Sequence, residues 1–199
     1  MSDEPSNPDA NVATEMAAAT GPAPAGPAVP ATACSNSGDG PWTFLSIGRN
    51  SVPFNADRNR GAHWFVAVDL TTQLNVVANV ISENNGAVPP EIKRLQGDPR
   101  YFFFVIGNAL RGHNIPVGEL YAFLKAIGSG RQLATLEQIA TQAGTGTIFR
   151  YTYILAATAT EGDLPGFEAF SDVHHVFLTM QFMPIKLDDK IVYAPVQQF

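Results

Sequence analysis

The chain of 199 residues has one cysteine, Cys34, so no intramolecular disulfide and no cysteine-based metal site can be assembled from it. Basic residues are also few: 12 Lys and Arg stand against 18 Asp and Glu. They are scattered from Arg49 to Lys190 rather than clustered. Neutralising a phosphate backbone needs a basic stripe, so nucleic acid is excluded as an expected partner. No run approaches the roughly 18 apolar residues of a membrane helix, and no Asn-x-Ser/Thr sequon occurs. A lipid-attachment signal at Cys34 would need a basic start and an apolar core. Ser2-Asp3-Glu4 is acidic, and Pro and Gly break the stretch from Ala17 to Val29. No recognisable signal peptide is present, which leaves the compartment open between the cytoplasm and export without an N-terminal signal.

The first 40 residues lack Lys, Arg, His and every aromatic. Ala, Pro, Ser, Asn, Thr and Gly dominate them, a composition that buries too little apolar surface to offset the entropy of ordering. Residues 1–41 are therefore expected to be a disordered Ala/Pro-rich arm, with Cys34 in it, and 42–199 a globular domain. The arm holds five of the acids (Asp3, Glu4, Asp9, Glu15, Asp39), which leaves the remainder near neutrality.

From Trp42 onward the pattern is one of alternation and punctuation. Trp42–Ile47 predicts a strand. His63–Leu70 and Leu74–Ile81, separated by an Asp/Thr-rich turn, predict a hairpin. Pro90 suits the first turn of a short helix over Glu91–Gln96. Tyr101–Ile106 is apolar throughout, which places it in the centre of a layered fold. Val117, Leu120, Tyr121, Leu124 and Ile127 recur at helical spacing, and Gly128 stops that helix. A second helix is expected over Leu133–Ala143, a strand over Arg150–Ala157, and a last hairpin from His174–Phe182 and Lys190–Ala194 across Asp188-Asp189.

Catalytic constellations are not evident. His174 and His175 are neighbours in a strand and point to opposite faces, and no His-x-x-x-His spacing exists for zinc. Ser129 in Gly128-Ser-Gly130 follows a helix, whereas a nucleophile elbow joins a strand to a helix. Gly144-Thr-Gly146-Thr147 lacks the third glycine of a dinucleotide fingerprint and the Lys of a phosphate loop. The carboxylates of Glu161–Glu168 lie among Gly and Pro and read as a solvated surface loop without EF-hand spacing. No metal and no cofactor is expected.

The loop after the central strand offers the best recognition groups: Asn108, Arg111, His113 and Asn114 can hydrogen-bond a sugar hydroxyl or a partner's backbone. A plain polar connection with Gly112 in a tight turn is the competing role. Arg100 and Trp64 are secondary candidates, as residue types common among contact anchors.

The element order, together with Arg60–Asp69, the strand Tyr101–Gly107, Gly118–Ser129 and Tyr153–Ala157, resembles the ILEI/PANDER-like domain family, named after interleukin-like inducers of epithelial–mesenchymal transition. The resemblance runs from about Gly61 to the C-terminus. It implies an α+β fold, a compact β-β-α sandwich of mainly antiparallel sheets with two to three helices packed on them. For function it implies non-catalytic recognition: some animal members are secreted signalling factors, and a related domain in a glycosyltransferase stem recognises sugar. This chain lacks the disulfide-forming cysteines of the former and an obvious match to the sugar-binding residues of the latter. The expected function is a non-enzymatic domain binding carbohydrate or a protein through loops. Set against it are a subunit of a larger assembly docking through its arm or an edge strand, and a hydrolase or transferase with a concealed site.

Overall fold

In a computed structural model, residues 26–36, 43–52, 61–109, 114–143, 150–160, 166–172 and 175–197 are described. They form two five-stranded antiparallel sheets packed face to face, with helices on the far side of one, an α+β sandwich. In chain order the elements are β1 (Val29–Asn36), β2 (Phe44–Ile47), β3 (Asn50–Val52), β4 (His63–Asp69), β5 (Asn75–Ser82), α1 (Pro90–Lys93) and β6 (Tyr101–Ala109). There follow α2 (Gly118–Ala126), α3 (Arg131–Ala143), β7 (Tyr151–Thr158), β8 (Phe167–Ser171), β9 (His175–Leu187) and β10 (Lys190–Gln197). The first sheet runs β10-β9-β1-β2-β3 and the second β5-β4-β6-β7-β8.

The aromatic run of β6 occupies the centre of the second sheet, and its alternation explains why both faces are apolar. Phe102, Phe104 and Ile106 face the first sheet, where they meet Leu178, Met180 and Phe182, with Trp64 of the neighbouring β4 beside them. Phe103 and Val105 face the helices and meet Leu120, Phe123, Leu124 and Leu136. Rings of Phe102 and Phe182 pack edge to face at 5.2 Å between centroids, a geometry that favours aromatic pairs.

The predicted hairpins form. β4 and β5 pair around a turn in which Asp69 Oδ1 accepts from the Thr71 amide at 2.8 Å and its hydroxyl at 2.6 Å. β9 and β10 pair across Asp188-Asp189, with Asp188 at a φ of 52°, where Asp is among the few side chains tolerated. On α2 the buried stripe is Leu120, Phe123, Leu124 and Ile127. Val117 precedes the helix and is 49% exposed, and Tyr121 lies at its flank. Gly128 has a φ of 106°, the left-handed turn that ends a helix at least cost when no Cβ is present.

One expected boundary is moved. Residues 29–36, read as part of the disordered arm, are β1, the middle strand of the first sheet. Val29-Pro-Ala-Thr-Ala-Cys-Ser-Asn36 has small side chains that fit between bulkier neighbours: Ala31 lies beside Met180 and Ile47, and Ala33 beside Leu178 and Leu45. Cys34 is buried there. Of the rest of the expected arm, 26–28 lead into β1, and 1–25 and 37–41 lie outside the described residues. A second correction concerns Glu168, which belongs to β8 rather than to a solvated loop; residues 161–165 lie outside the described residues.

Candidate functional site

Among the described residues, six of the eight buried polar ones sit at one end of the sandwich: Ser35, Thr43, His63, Asn108, Asn114 and Thr152. The strand directions cause this. β1, β6 and β3 end there, while β2, β4 and β7 begin there, so strand-terminal polar groups from both sheets meet and satisfy one another. Ser35 Oγ donates to Gly107 O at 3.2 Å across the two sheets. Asn108 Oδ1 accepts from the Gly61 amide at 3.3 Å, and its Nδ2 donates to Asn36 O at 3.3 Å. Thr43 Oγ1 accepts from the Asn36 amide at 3.3 Å.

His63 is wholly buried in this cluster. Asn114 Nδ2 lies 3.3 Å from its Nδ1. An amide nitrogen can only donate, so Nδ1 accepts and the imidazole proton sits on Nε2. That Nε2–H has no partner among the described residues. Burial holds the imidazole pKa down at about 4. The Tyr151 hydroxyl donates to Asn114 O, and burial pushes the phenol far above its ordinary range.

The structure therefore treats the candidate recognition residues differently. Asn108 and Asn114 are buried and turned inward, stitching the end of the sandwich together. Arg111 and His113 lie outside the described residues. Arg100 is at the opposite end of β6, roughly 27 Å away by strand rise. There it pairs with Asp98 at 2.7 Å and lies over the Tyr101 ring at 5.1 Å. That pairing holds the Asp98 carboxyl below its usual range. Trp64 faces the first sheet, wholly buried, and donates from Nε1 to Asn79 Oδ1 at 2.6 Å. It is a core residue and is not presented to a partner.

Beside Asn114 a groove of about 420 Å³ opens between the start of α2 and the second half of α3. Ile115, Pro116, Val117 and Ala140 make its apolar walls, and Tyr121, Glu137 and Thr141 its polar ones. The Tyr121 hydroxyl donates to Glu137 Oε2 at 2.9 Å, and this bond raises the phenol pKa. The 83–88 segment fixes one wall: Asn85 Nδ2 donates to Ile115 O at 2.8 Å, and Asn85 O accepts from the Val117 amide at 2.8 Å. Tyr121 and Glu137 escaped sequence reasoning because Tyr121 fits the apolar stripe of α2, and its partner lies 16 residues on, in another helix.

Ser129, dismissed as a nucleophile, is buried and bonded to Tyr153 and Glu168 at 2.7 and 2.5 Å. Among the described residues no group of three His, Cys, Asp or Glu is placed to hold a metal ion. No helix among them is long and apolar enough to cross a membrane.

No family model matches the chain, and no curated protein does. The functional reading therefore starts from the groove.

Proposed function

We propose that the chain is a non-catalytic recognition domain that binds a carbohydrate in the groove between α2 and α3, beside Asn114. The observation that carries this reading is the Tyr121–Glu137 pair set against apolar walls. A sugar presents one face of C–H groups and a rim of hydroxyls. Ile115, Pro116, Val117 and Ala140 suit the first. Glu137 Oε1, left over from the bond to Tyr121, suits the second as an acceptor. A groove of this volume lies in the usual range for small-ligand sites. Arg111 and His113, the sequence candidates for further hydrogen-bond donors, lie outside the described residues, and Arg111 enters only through the substitution below.

A glycan array with the full chain tests the proposal. Binding to at least one glycan is expected, weakened at least tenfold by Glu137→Gln and by Arg111→Ala. Retention of no glycan overturns it, as does binding indifferent to both substitutions.

The alternative, a subunit docking through an edge strand, is favoured by one feature. β5 is an eight-residue edge without a charged residue, and its Val76 and Val77 are 44% and 39% exposed. Such an edge accepts a partner strand. Loss of a captured partner on Val77→Lys, with glycan binding absent, supports that reading over the first.

A further inference from the structure

The outer face of the first sheet, turned away from the sandwich core, carries almost no charge. Strand pairing arranges it in rows. Phe44, Cys34 and Phe177 stand side by side, then Ser46, Thr32 and Thr179, then Pro30, Gln181 and Val196. Met183 beside Ala194, then Ile185, continue it toward the hairpin tip. Phe177 is 50% exposed and Val196 45%, and the Phe44 and Phe177 rings meet edge to face. Among the described residues this face holds no Asp, Glu or Arg, and Lys190 at the tip is its one charged residue.

A sheet face left to water ordinarily alternates apolar-in with polar-out, and a chain with 30 charged residues has ample means to do so. Depletion of charge with retention of Phe and Met is instead the composition of an interface centre. Sideways growth of this sheet is closed off. β3 has three residues. On β10, Pro195 has no amide proton to give, and the Tyr193 amide is already bonded to Leu70 O at 2.9 Å. What remains for association is the face itself.

We infer that this face pairs with the same face of a second copy of the chain, sheet on sheet. Two arguments select a second copy. A two-fold contact sets the patch against its own copy, and groups near the axis meet their own mates, so charge there would repel itself; this patch has none near its middle. Its size also fits. Strands about 4.8 Å apart rising about 3.3 Å per residue give a flat footprint of roughly 500 Å² per copy. A pair therefore removes roughly 1,000 Å², the threshold for a specific though weak interface. The contact would be an aligned sheet packing about 10 Å across, like the one inside each sandwich. It lies on the other side of the sandwich from the helices and leaves the α2–α3 groove open, so it stands independently of the carbohydrate reading.

Sedimentation equilibrium of the full chain, over about 1 µM to about 1 mM, tests this. The average mass should climb from one chain to two. Thr179 is exposed near the middle of the face, and Thr179→Lys should weaken association at least tenfold while the far-UV spectrum and Tm stay native. An equimolar mixture of Thr179→Lys and Thr179→Glu should restore the two-chain mass, because the opposed charges then attract. Should Thr179→Lys unfold the chain, Gln181→Lys and Gln181→Glu, in the adjoining row, serve the same comparison. A one-chain mass at every concentration overturns the inference, and so does a dimer abolished by Val77→Lys on β5 but unaffected by Thr179→Lys.

Discussion

The imidazole of His63 lies against Gly107, so close that a Cβ added to Gly107 would stand 3.1 Å from Cδ2 and 3.3 Å from Nε2. His63 and Gly107 are cross-strand partners in β4 and β6, and only the missing side chain lets the ring fit in a wholly buried position. Gly107→Ala should therefore cost about 1–3 kcal/mol by overpacking. Thermal unfolding checks this, and adding His63→Ala should recover part of the loss, since the two residues share one space. Equal Tm values for wild type and Gly107→Ala would show that the ring moves aside freely.

The same histidine sets a pH dependence. Desolvation lowers its folded-state pKa to about 4, against an ordinary value of 6.5. Below pH 6.5 the unfolded chain takes up a proton that the folded chain refuses. Stability is thus fully present above pH 6.5 and falls as pH drops toward 4, by about 3 kcal/mol in all. His63→Asn should flatten the denaturant midpoint between pH 6.5 and 4 relative to wild type. An unchanged slope would assign the acid loss to other groups.

Cys34 distinguishes the arm expected from the strand observed. A thiol in a disordered arm reacts at once with a disulfide reagent, whereas Cys34 is buried in β1 with its pKa pushed up to about 11 by burial. Thiolate, the reactive form, is then scarce at neutral pH. Labelling of the native chain should be slower than that of the urea-unfolded chain by at least tenfold. Immediate native labelling would return residues 29–36 to the arm.

What was legible in the sequence follows from the range of the interactions involved. The β4–β5 and β9–β10 hairpins close over short turns, so alternation and turn chemistry, both local, reveal them. β1 is different: its pairing with β9 joins Ala31 to Met180. Nothing near Ala31 hints at a partner so far along the chain, and its small residues resemble those of a flexible tail. Burial of Asn108 and Asn114 was equally hidden. Residue type marked them as hydrogen-bonding groups correctly, but whether they face solvent depends on Asn36, Thr43, Gly61 and His63, contributed by other segments.

Glu168 ties three segments to β8 through one carboxylate. Ser129 Oγ and the Tyr153 hydroxyl both reach Oε1, at 2.5 and 2.9 Å, and the Gln132 amide in the first turn of α3 donates to Oε2 at 3.2 Å. A carboxylate at a helix N-terminus accepts an otherwise unpaired amide and interacts favourably with the helix dipole. Here it also receives the hydroxyls of the α2–α3 turn and of β7. Glu168→Ala would leave the Tyr153 and Ser129 hydroxyls with only each other, and the helix start unsatisfied, for a loss of about 1–3 kcal/mol. Glu168→Gln keeps an acceptor oxygen and should lose less. Amide exchange separates this account from general weakening: the Gln132 amide should lose protection in Glu168→Ala more than amides in the centre of β6. α3 forms one wall of the α2–α3 groove, and the Tyr121–Glu137 bond further along it ties the same helix to α2. The double variant Glu168→Ala, Glu137→Gln should then be less stable than the sum of its parts. A strictly additive pair would mean that the two ties act separately.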